Sequence, residues 1–361
     1  MAKEEEIIDI EDIFVRYDIV KESENELPYK EVDFSRQANK TKWVVTEKIH
    51  GSNFSLYYTG KSWRVAKRNS LLTEEEMMTF FGCSEVIPKI LQSAPMLLTL
   101  IKQHNPHAVA FVIYGELCGG NKNFPGSQPG ESPDVPVQVG ILYSPKIEFI
   151  PFDMDVIIKE GSIYKHEALD FDLFIEFTEK SKIGHVPVIK VCDTVDEALS
   201  INLTFDSLVP KQLGYTTIVK GTNQAEGVVI KPYPKMVHGT KSVRESFKRK
   251  HPKFKEIEDF ELPRQNSDYV VAEANILARI TKARLQSFVS KNGVKEDLEV
   301  VQREVLDDVL LSCSRQHILT YNWWFNQGGN GQSEQAKRIQ QRAYFKIAEL
   351  YKTVLEEQKI N

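Results

Sequence analysis

The stretch Thr46-Glu47-Lys48-Ile49-His50-Gly51-Ser52-Asn53-Phe54-Ser55-Leu56-Tyr57-Tyr58 decides how the chain is read. It sets a lysine three residues before a glycine, between two strand-like runs. Upstream, Trp43 to Glu47 alternates and is rich in β-branched and aromatic side chains. Downstream, Phe54, Leu56 and Tyr58 share one face of an extended segment, with Asn53, Ser55 and Tyr57 on the other. Lys48 is thereby expected at the turn between two strands, a covalent nucleophile presented to a substrate. The four-residue pattern alone is weak: Lys211-Gln212-Leu213-Gly214 repeats it after a proline, in a loop-like region without strands on both sides.

Outward from that turn, WVVTEK, NFSLYYT and SWRVAK read as three strands, the last two joined at a Gly60-Lys61 hairpin tip. Residues 1–40 are polar, with weak apolar clusters at Ile7-Ile8 and Ile13-Phe14-Val15 that are expected to dock on a domain edge. A broad apolar face predicts a helix over 85–103, despite Pro88 and Pro95, and Ala108 to Leu117 reads as a buried strand. Residues 119–134 form a Gly/Pro/Ser-rich loop. Strands are expected at 135–142, 146–158, 225–232 and 242–247, and helices at 165–179 and 195–203. After about Pro263 the pattern turns helical. Val270, Ala274, Leu277, Leu285 and Phe288 recur at helical spacing up to a stop at Gly293, and helices follow over 296–313 and 334–357 with an aromatic turn at Tyr321–Phe325. A β-rich mixed domain over 1–262 and a small all-helical domain over 263–361 are expected.

The chain has 361 residues, 41% of them hydrophobic, enough for about two domains with a sizeable core. With 27% charged residues and no long apolar run, nothing is expected to span a membrane. The acidic start MAKEEEIIDIEDI argues against a secretory signal or an Arg-rich presequence. Cys83, Cys118, Cys192 and Cys313 lie far apart without a CxxC pair, which argues against zinc and disulfides and for a cytoplasmic or other reducing compartment. Net charge is −5, which disfavours a polyanion partner overall, yet Lys241 to Lys255 carries seven Lys or Arg residues and one acid. Taken alone, such a run is an ordinary solvated face.

Order supplies the specificity that single motifs lack. After Lys48-Ile49-His50-Gly51 come Ala66-Lys67-Arg68, then Tyr114-Gly115-Glu116-Leu117, then Phe149-Ile150-Pro151-Phe152-Asp153. Next are Ala225-Glu226-Gly227-Val228-Val229-Ile230-Lys231-Pro232 and Phe247-Lys248-Arg249-Lys250. This series resembles that of the covalent nucleotidyl transferases, which comprise DNA ligases, RNA ligases and messenger-RNA capping enzymes. More narrowly it resembles the nick-sealing, double-strand RNA ligases of T-even phages and the kinetoplastid RNA-editing ligases. Gly140-Ile141-Leu142-Tyr143-Ser144-Pro145 is closer to the editing branch. His50 stands where DNA ligases and capping enzymes usually carry an acid, which favours RNA ligation over its two sister activities; taken alone, it reads as a structural histidine.

The resemblance covers roughly residues 40–255 and implies an α+β fold, an ATP-grasp-like nucleotidyltransferase domain of antiparallel sheets with flanking helices. It implies ATP as substrate and Mg2+ or Mn2+ as cofactor. The activity it implies is joining of 3′-hydroxyl and 5′-phosphate RNA ends, with nicked duplex RNA as partner. Lys48 would attack the α-phosphate, and only its neutral amine can do so; an ordinary lysine, with a pKa of about 10.4, is neutral on the order of one part in a thousand at pH 7. Lys248 and Lys250, on one strand face, would contact that phosphate and depress the Lys48 pKa. Glu226 would hold the metal and Glu116 the ribose hydroxyls. Phe152 would stack on adenine, and Arg68 would bind the 5′-phosphate end or the sugar. Glu47 and Asn53 would meet the adenine and the ribose-phosphate side, with Ile49 and Lys231 completing the nucleotide site. Arg279, Lys282, Arg284, Lys337, Arg338 and Arg342 are the cations of the helical tail through which RNA could be engaged.

Overall fold

The structure, a computed structural model, describes residues 8–17, 20–22, 41–133, 136–233, 237–238, 241–242, 246–254, 268–316, 318–327 and 333–360. It divides into two compact units, Met1–His251 and Pro252–Asn361. The expected boundary at 262/263 lies outside the described residues.

The first unit is built from strands β1 (Lys21–Glu22), β2 (Lys42–Glu47), β3 (Ser52–Tyr58), β4 (Trp63–Lys67), β5 (Ser70–Leu71), β6 (Ala108–Gly119), β7 (Ile147–Glu160), β8 (Ile163–Ala168), β9 (Val188–Cys192), β10 (Gly227–Tyr233), β11 (Val237–His238), β12 (Lys241–Ser242) and β13 (Phe247–Lys250). They form a five-stranded sheet in the order β1-β13-β10-β2-β9, a six-stranded sheet in the order β5-β4-β3-β6-β7-β8, and a two-stranded ribbon of β11 and β12. All pairings are antiparallel except that of β1 with β13.

The two strands around Lys48 therefore do not pair with each other. β2 lies in the smaller sheet and β3 in the larger, so residues 48–51 carry the chain from one sheet to the other. Burial of both strand faces explains this. Val44 of β2 joins Phe54 and Leu56 of β3 in a core shared with the helices Cys83–His104 and Phe171–Lys180. Trp43 and Val45 face the opposite way, into a second cluster with Val228, Ile230 and Phe247. Tyr57 turns to a third cluster, where Ile10 and Ile13 pack on the face of the larger sheet, rather than on its edge. Burying each such apolar side chain contributes about 1.5–3 kcal/mol, so neither sheet can slip in register without exposing one of these faces.

Several expected elements differ. Described residues 136–146 form no strand, because Pro136 and Gly140 (φ +96°) interrupt any ladder and side-chain amides take over its hydrogen bonding. The helix expected over 165–179 starts late: residues 163–168 pair with β7, and the helix runs Phe171–Lys180. The helix expected over 195–203 stops at Leu199. Of the strand expected at 242–247, residues 243–245 lie outside the described residues, and β13 continues to Lys250.

The second unit contains helices Asp268–Ala278, Lys282–Asn292, Leu298–Gln316, Ile318–Asn326 and Glu334–Ile360. The first two break where one helix was expected, because the Thr281 hydroxyl caps the second by accepting from the Arg284 amide at 3.2 Å. The aromatic stretch at 321–325 is helical, not a turn. Most of the tail cations are already engaged. Arg279 and Arg284 are buried, and the Arg284 Nε–H donates to the Arg279 carbonyl at 2.7 Å while its guanidinium pairs with Asp308. Lys282 meets Glu357 at 2.5 Å, Arg342 meets Glu273 at 2.6 Å and Lys337 meets Glu334 at 3.3 Å, whereas Arg338 is exposed.

At the head of β10, Gly227 has φ +152°, and a Cβ there would lie 2.0 Å from the Arg249 carbonyl oxygen of β13. Gly227→Ala is expected to force these strands apart and cost roughly 2–3 kcal/mol. Urea unfolding measures it, and an unchanged midpoint would contradict the close approach.

Candidate active site

The turn that carries Lys48 is fixed at three points. The Lys48 amide donates to the Gly227 carbonyl at 2.9 Å, and the His50 amide donates to the Tyr143 hydroxyl at 2.8 Å. Gly51 lies so close to β6 that a Cβ would sit 2.0 Å from the Leu117 carbonyl oxygen and 2.8 Å from Glu116 Cγ. The glycine of the K-x-x-G pattern thus lets the backbone touch the next strand. Lys211 shows the contrast: it is exposed, on the short helix Val209–Gln212.

Lys48 Nζ lies 2.6 Å from Glu226 Oε2, and Lys250 Nζ lies 3.5 Å from Glu226 Oε1. His50 Nδ1 approaches Oε2 at 3.5 Å, so this histidine belongs to the cluster. Glu226 stands just before β10, and β13 pairs Lys250 opposite Gly227 and Lys248 opposite Val229. Lys248, two residues from Lys250 on the same strand face, is half-buried. Burial is the largest influence on the Glu226 carboxyl and acts to raise it. The charges of Lys48 and Lys250, with the His50 hydrogen bond, outweigh it and hold the carboxyl well below the usual carboxylate range.

Glu47 behaves in the opposite way. Its side chain is buried, with Oε2 accepting from the Leu208 amide at 2.8 Å and Oε1 buried without a hydrogen-bond partner. Burial raises the carboxyl to about 7, against hydrogen bonds from Ser207, Leu208 and Val209 that lower it.

Phe152 sits at a break in register: Tyr114 pairs with Asp153 and Gly115 with Pro151, leaving Phe152 as the extra residue of a bulge in β7. Such a bulge re-aims one side chain without ending the sheet. The residue is half-buried, with the Tyr17 ring edge-on at 5.2 Å. Lys231, by contrast, is only 1% exposed, with Nζ 2.7 Å from the Phe152 carbonyl and 3.3 Å from Asp153. Burial pushes its amine down to about 7. Its Nζ also lies over the Phe152 ring, 5.3 Å from its centroid. Tyr17 donates to the same Asp153 carboxylate at 2.9 Å.

The remaining expected residues surround this cluster. Asn53 is buried on β3 and paired in register with the half-buried Glu116 of β6. Ile49 is buried in the turn. Arg68 is half-buried between β4 and β5, where its Nε is buried without a hydrogen-bond partner. Beside it, Lys67 is tied at 2.7 Å to Glu76, whose carboxylate also accepts from the Thr73 amide. Tyr17, Tyr143 and Asn223 have no place in the motif series. Only the GILYSP string pointed toward one of them.

A divalent cation fits the donor set. Among the described residues no group of three or more His, Cys, Asp or Glu side chains converges on a metal position. One ionised carboxylate beside lysines, completed by phosphate oxygens and water, suits Mg2+ or Mn2+ better than a closed protein cage would.

The raised Glu47 carboxyl has a consequence for stability. An acid ionising at 4.5 when unfolded and about 7 when folded makes the native state lose stability as pH climbs between those values. Relative to Glu47→Gln, the native chain is expected to lose on the order of 2–3 kcal/mol between pH 5 and pH 8. Urea unfolding at both pH values measures this, and a difference independent of pH would contradict it.

Comparison with known proteins now has a geometry to attach to. RNA-editing ligase 1, mitochondrial, of Trypanosoma brucei brucei is 28% identical over 235 residues, covering 56% of this chain and 50% of that protein. RNA-editing ligase 2, mitochondrial, is 28% identical over 235 residues, with 54% of it covered. The chain spans about half the length of the curated relatives it matches. Among solved structures, a mutant Naegleria gruberi RNA ligase with AMP and Mn aligns at 17% identity and a TM-score of 0.41, covering 67% of this chain and 57% of that one. The sequence model of the family described as RNA ligase matches residues 41–250, more than half of the chain and all of the cluster around Glu226. This chain belongs to the RNA ligase family.

Proposed function

We propose that the chain is an ATP-dependent RNA ligase that joins 3′-hydroxyl and 5′-phosphate ends at nicks in duplex RNA. The observation that carries this reading is the Lys48–Glu226–Lys250 cluster, with Lys48 Nζ 2.6 Å from the carboxylate on a turn fixed between two sheets.

In the first step the Lys48 lone pair forms a P–N bond to the α-phosphorus of ATP. The bond to the bridging oxygen breaks, pyrophosphate leaves, and the amine gives up its proton. Lys48 can do this only once Nζ has given up a proton, to the neighbouring carboxylate or to solvent, because an ammonium nitrogen has no free lone pair. Lys248 and Lys250 face the phosphate and neutralise the charge that builds up on its oxygens. Glu226 would hold a divalent ion, which would supply further neutralisation of that charge. The 5′-phosphate of the RNA then takes AMP from Lys48, and the 3′-hydroxyl displaces AMP to close the chain.

The surrounding residues fit an adenine nucleotide. The bulged Phe152 offers a ring for stacking, and the buried, unpartnered Glu47 Oε1 suits the amino group of adenine. Asn53 and Glu116, paired on β3 and β6, serve the ribose and phosphate side, with Ile49 as apolar lining. Arg68 offers a cation to the 5′-phosphate, and Lys231 acts by holding the Phe152 backbone.

Incubation with α-labelled ATP, magnesium and a nicked RNA duplex tests the reading. The native chain should carry label through denaturation and seal the nick, and Lys48→Ala should lower both by more than about a thousandfold. Undiminished label on Lys48→Ala would overturn the assignment, and labelling by GTP alone would turn it toward capping. Glu226→Ala should lose metal-dependent adenylylation; full activity would remove the metal from Glu226.

A further inference from the structure

The string Gly140–Pro145 contributes no side chain to the charged cluster, yet it is bonded to the nucleophile turn. Tyr143 is 1% exposed, and its hydroxyl accepts from the His50 amide at 2.8 Å. The other two restraints on this turn are backbone contacts, at Gly227 and at Leu117. Tyr143 is a side chain from outside the charged cluster that holds the backbone of this turn.

Tyr143 is itself held firmly, although its loop belongs to neither sheet. The Leu142 amide donates to Asn223 Oδ1 at 2.8 Å, and Asn223 Nδ2 donates back to the Leu142 carbonyl at 2.7 Å. The Tyr143 amide donates to Asn121 Oδ1 at 3.1 Å. These side-chain amides do for the loop what a neighbouring strand would do. Asn223 also lies three residues before Glu226, so one segment anchors both the carboxylate and the tyrosine that bears on Lys48. Burial, and after it the Glu47 carboxyl, push the phenol well above its ordinary value, which keeps it a neutral hydroxyl.

We propose that Tyr143 is a positioning residue for adenylylation, holding the 48–51 turn so that Lys48 Nζ meets the α-phosphate in line. The inference rests on the ligase reading above. Lys48 is the attacking group only when the P–N bond forms and pyrophosphate leaves. In the final joining step the RNA 3′-hydroxyl attacks and AMP departs, so a misplaced Lys48 turn should slow the first step and spare the last.

Tyr143→Phe removes the hydroxyl and keeps the ring. Its single-turnover adenylylation at saturating ATP should fall about ten- to a hundredfold, as a displacement near 1 Å can cause. Half-saturation by ATP, and sealing of a nicked duplex already carrying a 5′-adenylylated end, should stay within about twofold of the native values. An equal loss in both reactions would mark a purely structural role, and an unchanged adenylylation rate would overturn the proposal. A native chain that neither labels nor seals would instead refute the ligase reading. Hydrogen exchange of the His50 amide in the unsubstituted chain tests the bond directly: slow exchange supports it, and exchange at the rate of an open loop overturns it.

Discussion

One buried carboxylate organises the site. Glu226 draws Lys48 from the turn between the sheets, Lys250 from β13 and His50 from the same turn as Lys48. Removing the acid would leave two ammonium groups facing each other with little water, a cost well above that of an exposed ion pair. The same balance holds Lys48 in an ion pair, and on the proposed reading adenylylation requires that amine to be released and to give up a proton.

The fold serves that arrangement by keeping consecutive strands apart. Because β2 and β3 enter different sheets, the four residues between them are drawn across the gap, and their backbone is pinned rather than left as an open loop. Lys48, Glu226 and the lysines of β13 lie on or beside the neighbouring strands β2, β10 and β13 of one sheet, while Glu116 and Phe152 lie on β6 and β7 of the other. Lys231 and Tyr17 converge on Asp153, next to the bulge that turns Phe152, so this ring is supported from two sides.

Much of this was legible in the sequence. Alternation around Lys48 located β2 and β3, and the order of short motifs brought Glu116, Phe152, Glu226 and the β13 lysines to one region. What could not be read was mostly long-range. No local pattern says that β2 and β3 part company, since a turn between paired strands has the same composition as a crossing between sheets. Residues 165–168 were expected to be helical, but their pairing with β7 overrides weak propensity. Residues 135–142 were expected to be a strand, but Asn223, far away in the chain, takes the Leu142 amide and carbonyl that a neighbouring strand would have taken. Lys231 carried a motif position but is buried against Phe152 and Asp153, and several tail cations proved to be internal ion pairs.

The most direct measurement is to incubate the chain with ATP and magnesium, digest it, and map the adenylyl group by peptide mass spectrometry. The account predicts a single AMP adduct, on the peptide containing Lys48 and at that lysine. An adduct on Lys211, Lys248 or Lys250, or a covalent adduct that survives in Lys48→Ala, would contradict it.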